Sequence, residues 1–368
     1  MHVGMGAIFQ NPLDQRSDRD VYRAELRLTD LAEPLGFDSV WGVEHHFTDY
    51  TMCPDVLQFL TWVAARTKKI QIGSMVVVLP WHDPIRVAEQ VSMLDHMAEG
   101  RFILGIGRGL GRVEFEGFRV KMGESRARFV EYAQMLLNGL EQGWCEFDGQ
   151  YVKQPRRDVR PRPFKSFKGR TYAAAVSPES AHIMAELGIG ILIIPQKPWE
   201  MLATELEDYR GTYRKVNGAE PPPPIVAGWT FCDEDEERAR ELAYRYIGGY
   251  WETVLRHYEL KGDHLAKTVG YEYYGRLQEN VREGSEALRD FFVNLQVYGT
   301  PEQCFEKIMD IRSRVGCDTY SGVFSYAGMP AEESERNLRL FAREVMPELK
   351  KVGPVAEARE APAASATA

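Results

Sequence analysis

The chain has 368 residues, 44% of them hydrophobic and 27% charged, which supplies material for a large core and excludes disorder of the whole. A formal net charge of −9 argues against nucleic acid or an anionic membrane as the ligand and leaves a small molecule. Cys53, Cys145, Cys232, Cys304 and Cys317 are scattered and form no C-x-x-C pair, so neither a disulfide framework nor a structural zinc site is expected. A reducing cytoplasm is the expected location. The opening Met1-His2-Val3-Gly4-Met5-Gly6-Ala7-Ile8-Phe9 runs directly into a strand-like pattern, without the basic and long apolar segments of a signal peptide. No run approaches the roughly 18 apolar residues of a membrane helix.

Apolar, β-branched runs recur near 3–9, 37–43, 70–79, 101–107, 171–176, 189–195, 225–232 and 319–326. Between them, Val21, Ala24, Leu28, Leu31 and Leu35 step by three and four, as do Val87, Val91, Leu94 and Ala98, and Cys304, Ile308, Ile311 and Val315. Asp83-Pro84, Ser177-Pro178 and Thr300-Pro301 each place a capping side chain before a proline suited to the first helical position. Gly36, Gly188 and Gly316 follow apolar stripes where left-handed helix ends are wanted. Eight strands alternating with helices predict a single (β/α)8 TIM barrel over residues 1–350, with a disordered tail at 351–368.

Two connections are longer than the pattern needs, one after strand 4 (about 108–170) and one after strand 7 (about 233–318). The first holds a helix around 124–143 and then a basic stretch, 153–170, read as a solvated loop; a positive rim that draws anions to the barrel mouth is the alternative. In the second, the Tyr- and Gly-rich segment 262–299 is expected to act as a lid.

Chemistry concentrates at strand ends. Glu44-His45-His46-Phe47 closes the second strand, and alternation sends Glu44 and His46 one way and His45 the other. Only one of the two histidines then faces a ligand. Gly105-Ile106-Gly107-Arg108-Gly109 ends the fourth strand, where glycines permit close backbone approach and Arg108 offers a charge-assisted clamp. Ser177-Pro178-Glu179-Ser180 opens a helix after the fifth strand, a natural anion site. Together these suggest a phosphate-bearing cofactor, held after strands four and five rather than after the usual seven and eight.

Glu44-His45-His46-Phe47-Thr48, Ile72-Gly73-Ser74 through Leu79-Pro80, Pro84, Ala88-Glu89-Gln90, Leu94-Asp95 and Gly100-Arg101-Phe102 through Gly109 resemble the bacterial luciferase-like flavin monooxygenases. The similarity resumes at Ser177 to Gly188, Gly299-Thr300-Pro301-Glu302 and Val345-Met346-Pro347, and is weakest at about 145–170 and 230–298. The resemblance implies an FMN-dependent monooxygenase that uses reduced FMN, supplied by a separate NAD(P)H:flavin reductase, and O2. It would oxygenate a small apolar organic substrate through a flavin peroxide. By position it makes His45 the catalytic histidine, assigns Arg108, Ser177 and Ser180 to the flavin phosphate, and places a non-proline cis peptide at Met75-Val76 under the ring. Glu44, Leu110 and Glu114 would line the same pocket, and the family implies a homodimer. Gly107 stands where the light-emitting subunit has its reactive cysteine, which argues against bioluminescence.

Three rivals share some of these residues. A deazaflavin-dependent dehydrogenase would keep the fold and lose the O2 chemistry. A metal-dependent barrel hydrolase would use Glu44, His45 and His46, but adjacent histidines on a strand diverge, so no metal is expected. A flavin-binding barrel without turnover is disfavoured by the presence of both His45 and Arg108.

Overall fold

The computed structural model describes residues 1–174 and 177–355, without the side chains of Pro178, Glu283 and Ser285; the expected disordered tail lies, from 356 onward, outside the described residues. Eight parallel strands form the barrel: β1 (His2–Ala7), β2 (Ser39–Gly42), β3 (Gln71–Ser74), β4 (Phe102–Gly107), β5 (Thr171–Ala174), β6 (Gly190–Ile193), β7 (Ile225–Cys232) and β8 (Thr319–Val323). Each pairs with its neighbour in sequence, β8 returns to β1, and pairing of Ile225 with Leu192 and Val226 with Ile193 joins β6 to β7. Because helices cover the outside and side chains fill the inside, the strands read as continuous apolar runs rather than as alternating ones.

The described α-helices are α1 (Asp18–Leu35), α2 (Val56–Arg66), α3 (Pro84–Met97), α4 (Arg112–Gly117), α5 (Ser125–Gln142), α6 (Pro178–Glu186), α7 (Trp199–Asn217), α8 (Glu236–His257), α9 (Glu272–Glu283), α10 (Ser285–Leu295), α11 (Pro301–Val315), α12 (Ala331–Leu340) and α13 (Met346–Lys351). The expected caps are present: Asp83, Ser177 and Thr300 accept from the backbone N–H groups of Ile85, Ser180 and Gln303. Gly36 ends α1 with φ of 92°, a conformation that glycine adopts without steric cost.

Trp41 fills much of the barrel interior. A Cβ on Gly73 would collide with its ring, and one on Gly4 would lie 2.8 Å from Nε1, so glycine on the flanking strands makes room for the indole. The indole N–H donates to Ser39 Oγ at 2.8 Å, which satisfies a buried donor.

The insertion after β4 corrects the sequence reading in one respect. Part of the basic stretch is a strand, Lys153–Asp158, paired antiparallel with Trp144–Asp148. Lys153–Asp158 is mostly exposed and Arg156 lies 4.1 Å over the Trp144 ring, so the strand has no buried face to print an alternating pattern. The insertion after β7 supplies α8, α9 and α10, then a short strand, Val297–Gly299, that extends the edge of β7. No described helix is long and apolar enough to cross a membrane.

Candidate active site

The polar tetrapeptide follows β2 at the carboxyl ends of the strands, where barrels carry their chemistry. Alternation holds there. His46 Nε2–H donates to Glu44 Oε1 at 3.0 Å, while His45 turns away and its Nδ1–H donates to Glu114 Oε1 at 2.9 Å. Glu44 also accepts from His82 Nε2 at 2.6 Å and from the Val78 backbone N–H at 2.9 Å. Burial pushes the Glu44 carboxyl upward, but His46, His82 and Val78 outweigh it and hold it below the usual range. Glu44 is therefore an anionic brace that ties the end of β2 to the segment after β3, where Val77–Val78 pairs with β4.

Glu114 comes from α4, just beyond β4, and is fully buried. Its Oε1 accepts from His45 and from the His46 backbone N–H at 3.0 Å; its Oε2 lies 3.5 Å from His257 Nε2 at the end of α8. Burial raises its pKa, but the two imidazoles reverse the shift and hold it at about 2. Burial drives His257 the other way, below its ordinary value, and its Nδ1 is 3.0 Å from the Thr48 hydroxyl. A buried carboxylate thus fixes the tautomer of His45, so that Nε2, on the far side of the ring, is left as the proton acceptor.

The donor atoms of His45, Glu114 and His257 lie within 4.8 Å of one another, a composition that suits a divalent cation. Glu114 Oε1 is already committed to two N–H donors, one of them His45 itself, while Glu114 Oε2 and His257 Nε2, 3.5 Å apart, are buried without a hydrogen-bond partner among the described residues.

Two adjoining cavities meet at His45. One runs between the ends of β2, β3, β4 and the start of α6, and takes in Glu44, Met75, Val76, Arg108, Leu110, Ser177 and Ser180. The sequence reading thus places all of its candidate residues around a single space. The other opens under α8, α9 and α10 and is mostly apolar. His45, Met75, Leu110, Ile194, Gln196, Tyr258 and Tyr274 border both. The Met75-Val76 peptide is cis, as expected. A Cβ on Gly107 would collide with Val76 Cγ2, so Val76 occupies the room that a side chain at 107 would need.

The first cavity is also lined by Ser177, which caps α6, Ser180 in its first turn, Arg108 and Arg126. Ser177 Oγ accepts from the Ser180 N–H at 3.3 Å and contacts Ser180 Oγ at 2.9 Å. Arg108 stacks 4.1 Å over Tyr271, and its guanidinium donates to the Gly270 carbonyl at 2.7 Å. Arg126 donates to the same carbonyl at 3.2 Å, pairs with Glu179, and keeps a buried Nε–H without a partner. Two guanidiniums converging on one acceptor, beside a serine-capped helix N-terminus, suit a phosphate monoester.

Sequence reasoning did not name Arg126, His82 or His257. Arg126 carried a signal, since a cation in the first turn of a helix opposes the helix dipole and so needs another reason to be there. His257 carried none, because a histidine in the last turn of a helix is favoured on its own account.

The chain belongs to the luciferase-like monooxygenase family, whose model matches residues 1–319. It is 26% identical over 345 residues to the alkanal monooxygenase alpha chain of Photorhabdus luminescens, covering 91% of this chain and 94% of that one. Among solved structures it resembles the monooxygenase RslO1 from Streptomyces bottropensis, with a TM-score of 0.77 and 28% identity over 95% of this chain and 99% of that one. The oxygenating constituent of 3,6-diketocamphane monooxygenase from Pseudomonas putida, in complex with FMN, matches with a TM-score of 0.72 and 19% identity over 95% and 99%. Coenzyme F420-dependent enzymes share the fold too, at 16% and 20% identity, so the barrel alone does not separate flavin from deazaflavin.

Proposed function

We propose that this protein is an FMN-dependent monooxygenase that uses reduced FMN and O2 to transfer one oxygen atom to a small apolar organic substrate. The observation that carries the reading is the position of His45, held by a buried carboxylate at the border of a cavity lined by Arg108, Arg126, Ser177 and Ser180 and an apolar one. When bound, reduced FMN would supply the electrons that activate O2.

The protein's own residues have separate tasks in this reading. Arg108, Arg126 and the Ser177–Ser180 turn hold the phosphate, Val76 and Gly107 shape the floor for the flat ring, and His45 Nε2 takes or returns a proton at the border of the cavities. The apolar wall keeps water from the reacting atoms. The segment 262–299, which lends Tyr274, Leu277 and Phe292 to that wall, acts as its lid.

A separate NAD(P)H:flavin reductase supplies reduced FMN, and two copies of the chain pair as a homodimer in the cytoplasm. A deazaflavin-dependent dehydrogenase is the second reading, favoured only by the shared fold. Anaerobic titration with reduced FMN and with reduced deazaflavin coenzyme separates the two. Tighter binding of FMN is expected, and preferential binding of the deazaflavin overturns the proposal.

A further inference from the structure

Two imidazoles sit on one carboxylate. Glu114 gives Oε1 to His45 and to the His46 backbone, while its Oε2 faces His257 Nε2 at 3.5 Å, longer than a full N–H···O hydrogen bond of about 2.7–3.2 Å. Both of the facing atoms are buried, and neither has a hydrogen-bond partner among the described residues. Gly111 keeps the space beside them clear, since a Cβ there would collide with Oε2 and lie 3.0 Å from Nε2.

His257 is fixed by its own neighbours and borders neither cavity. Its ring stacks on Tyr50, with centres 4.3 Å apart and 13° between planes, and its Nδ1 is 3.0 Å from Thr48 Oγ1. Thr48 Oγ1 accepts from the Tyr50 N–H at 3.4 Å, which leaves the hydroxyl proton to donate to Nδ1. A neutral imidazole that accepts at Nδ1 carries its proton on Nε2, the atom turned to the carboxylate.

The surrounding charges leave Glu114 to the two rings. Asp49, in the loop after β2, pairs with Arg256 at 2.7 Å, Glu259, beyond α8, pairs with Arg112, and Glu44 is committed to His46 and His82. Arg108 and Arg126 donate to the Gly270 carbonyl, and burial keeps the Tyr50 and Tyr258 phenols, which pack on both imidazoles, protonated. The ring centres of His45 and His257 are 5.0 Å apart, so a proton gained by one opposes a proton on the other. Burial makes His257 the neutral member of the pair.

We propose that His257 is a positioning residue for His45: its Nε2–H faces the second oxygen of Glu114 and draws on the same negative charge, which sets how tightly His45 Nε2 holds a proton. Without that N–H, Oε2 is buried with no donor and the whole charge of Glu114 falls to His45, which then takes its proton at higher pH. The inference rests on the monooxygenase reading for the use of that proton, and on geometry for the coupling.

Two amides separate the coupling from packing. His257→Gln carries an amide N–H to about the Nε2 position and keeps a donor to Glu114; His257→Asn reaches only the Nδ1 position, so it keeps the Thr48 contact and loses that donor. Proton NMR of the His45 ring, assigned with His45→Gln and followed against pH in flavin-free protein, is the readout. His257→Asn is expected to raise the midpoint by roughly one pH unit and His257→Gln to leave it near that of the wild type. Equal behaviour of the two amides overturns the proposal. The wild type tests it even if a variant does not fold: long-range nitrogen–proton NMR is expected to find the His257 proton on Nε2, and a proton on Nδ1 overturns it. The monooxygenase reading fails on a separate readout, the absence of oxygen from labelled O2 in any product.

Discussion

His45 Nδ1 lies 2.9 Å from Glu114 Oε1, a hydrogen bond that ties the end of β2 to the helix after β4 across 69 residues of sequence. The same oxygen holds the His46 backbone, and the other oxygen faces His257, so one buried carboxylate sets three groups at once. Glu114→Gln keeps an acceptor for His45 but removes the charge. The expected outcome is a loss of roughly 10- to 1,000-fold in oxygenated product per reduced FMN consumed, with flavin affinity unchanged. His45→Ala is expected to lose product more completely, again with flavin bound. Product yield from a test substrate that the wild type oxygenates, measured beside a flavin titration, checks both, and unchanged yield in His45→Ala removes the catalytic assignment.

The proposed phosphate grip makes a prediction that does not depend on turnover. Arg108→Ala and Arg126→Ala are each expected to weaken FMN binding at least ~10-fold, while riboflavin, which lacks the phosphate, binds the variants and the wild type alike. Arg108→Lys is not expected to restore the affinity, because lysine loses both the planar fork and the stack on Tyr271. An equal loss of riboflavin affinity would show that the arginines shape the cavity rather than hold the phosphate.

Val76 and Gly107 share one volume. Gly107→Ala places a methyl against Val76 Cγ2 and is expected to cost about 1–3 kcal/mol of stability, with a weakened flavin site. The double variant Gly107→Ala, Val76→Ala removes the colliding methyl and is expected to recover much of that loss. Chemical denaturation of the four proteins gives the interaction energy, and strict additivity would contradict the shared volume.

Glu25, on α1 and 3% exposed, gives the clearest pH signature. Burial pushes its carboxyl up to about 7, with Ser325, Arg16 and the Ile8 backbone offsetting part of the shift. A raised folded pKa means that the native state holds the proton more tightly than the unfolded chain. The contribution to stability is therefore full below about pH 4.5 and is lost as pH rises through about 7. Glu25→Gln removes the buried charge, so at pH 8 the variant is expected to be more stable than the wild type by about 2–3 kcal/mol. The difference should vanish near pH 4. Thermal melts at both values check it, and a variant that is less stable at pH 8 contradicts the sign.

The barrel was legible because its strands are buried on both faces and its helices carry their own starts and stops, such as Asp83 before Pro84 and Gly36 after Leu35. The split of the histidine pair was legible because the two-residue period persists just past the end of β2, where His46 meets Glu44 and His45 reaches Glu114. What the sequence hid is contact between distant segments. Glu114 was placed in the pocket only by family position, and nothing near it in the chain announces that it shares its charge between His45 and His257. The exposed strand Lys153–Asp158 was hidden for a different reason, since a hairpin without a buried face leaves charge and Pro155 where a pattern would be.

The account turns on whether this site activates O2 on FMN. The most direct test mixes the protein anaerobically with reduced FMN, admits O2, and follows the absorbance spectrum by stopped flow. The expected result is a long-lived species whose spectrum is neither reduced nor oxidised FMN, shortened in His45→Ala and, at limiting protein, less abundant in Arg108→Ala. Direct conversion to oxidised FMN at the rate of the free cofactor, with tight binding of reduced deazaflavin instead, would contradict it.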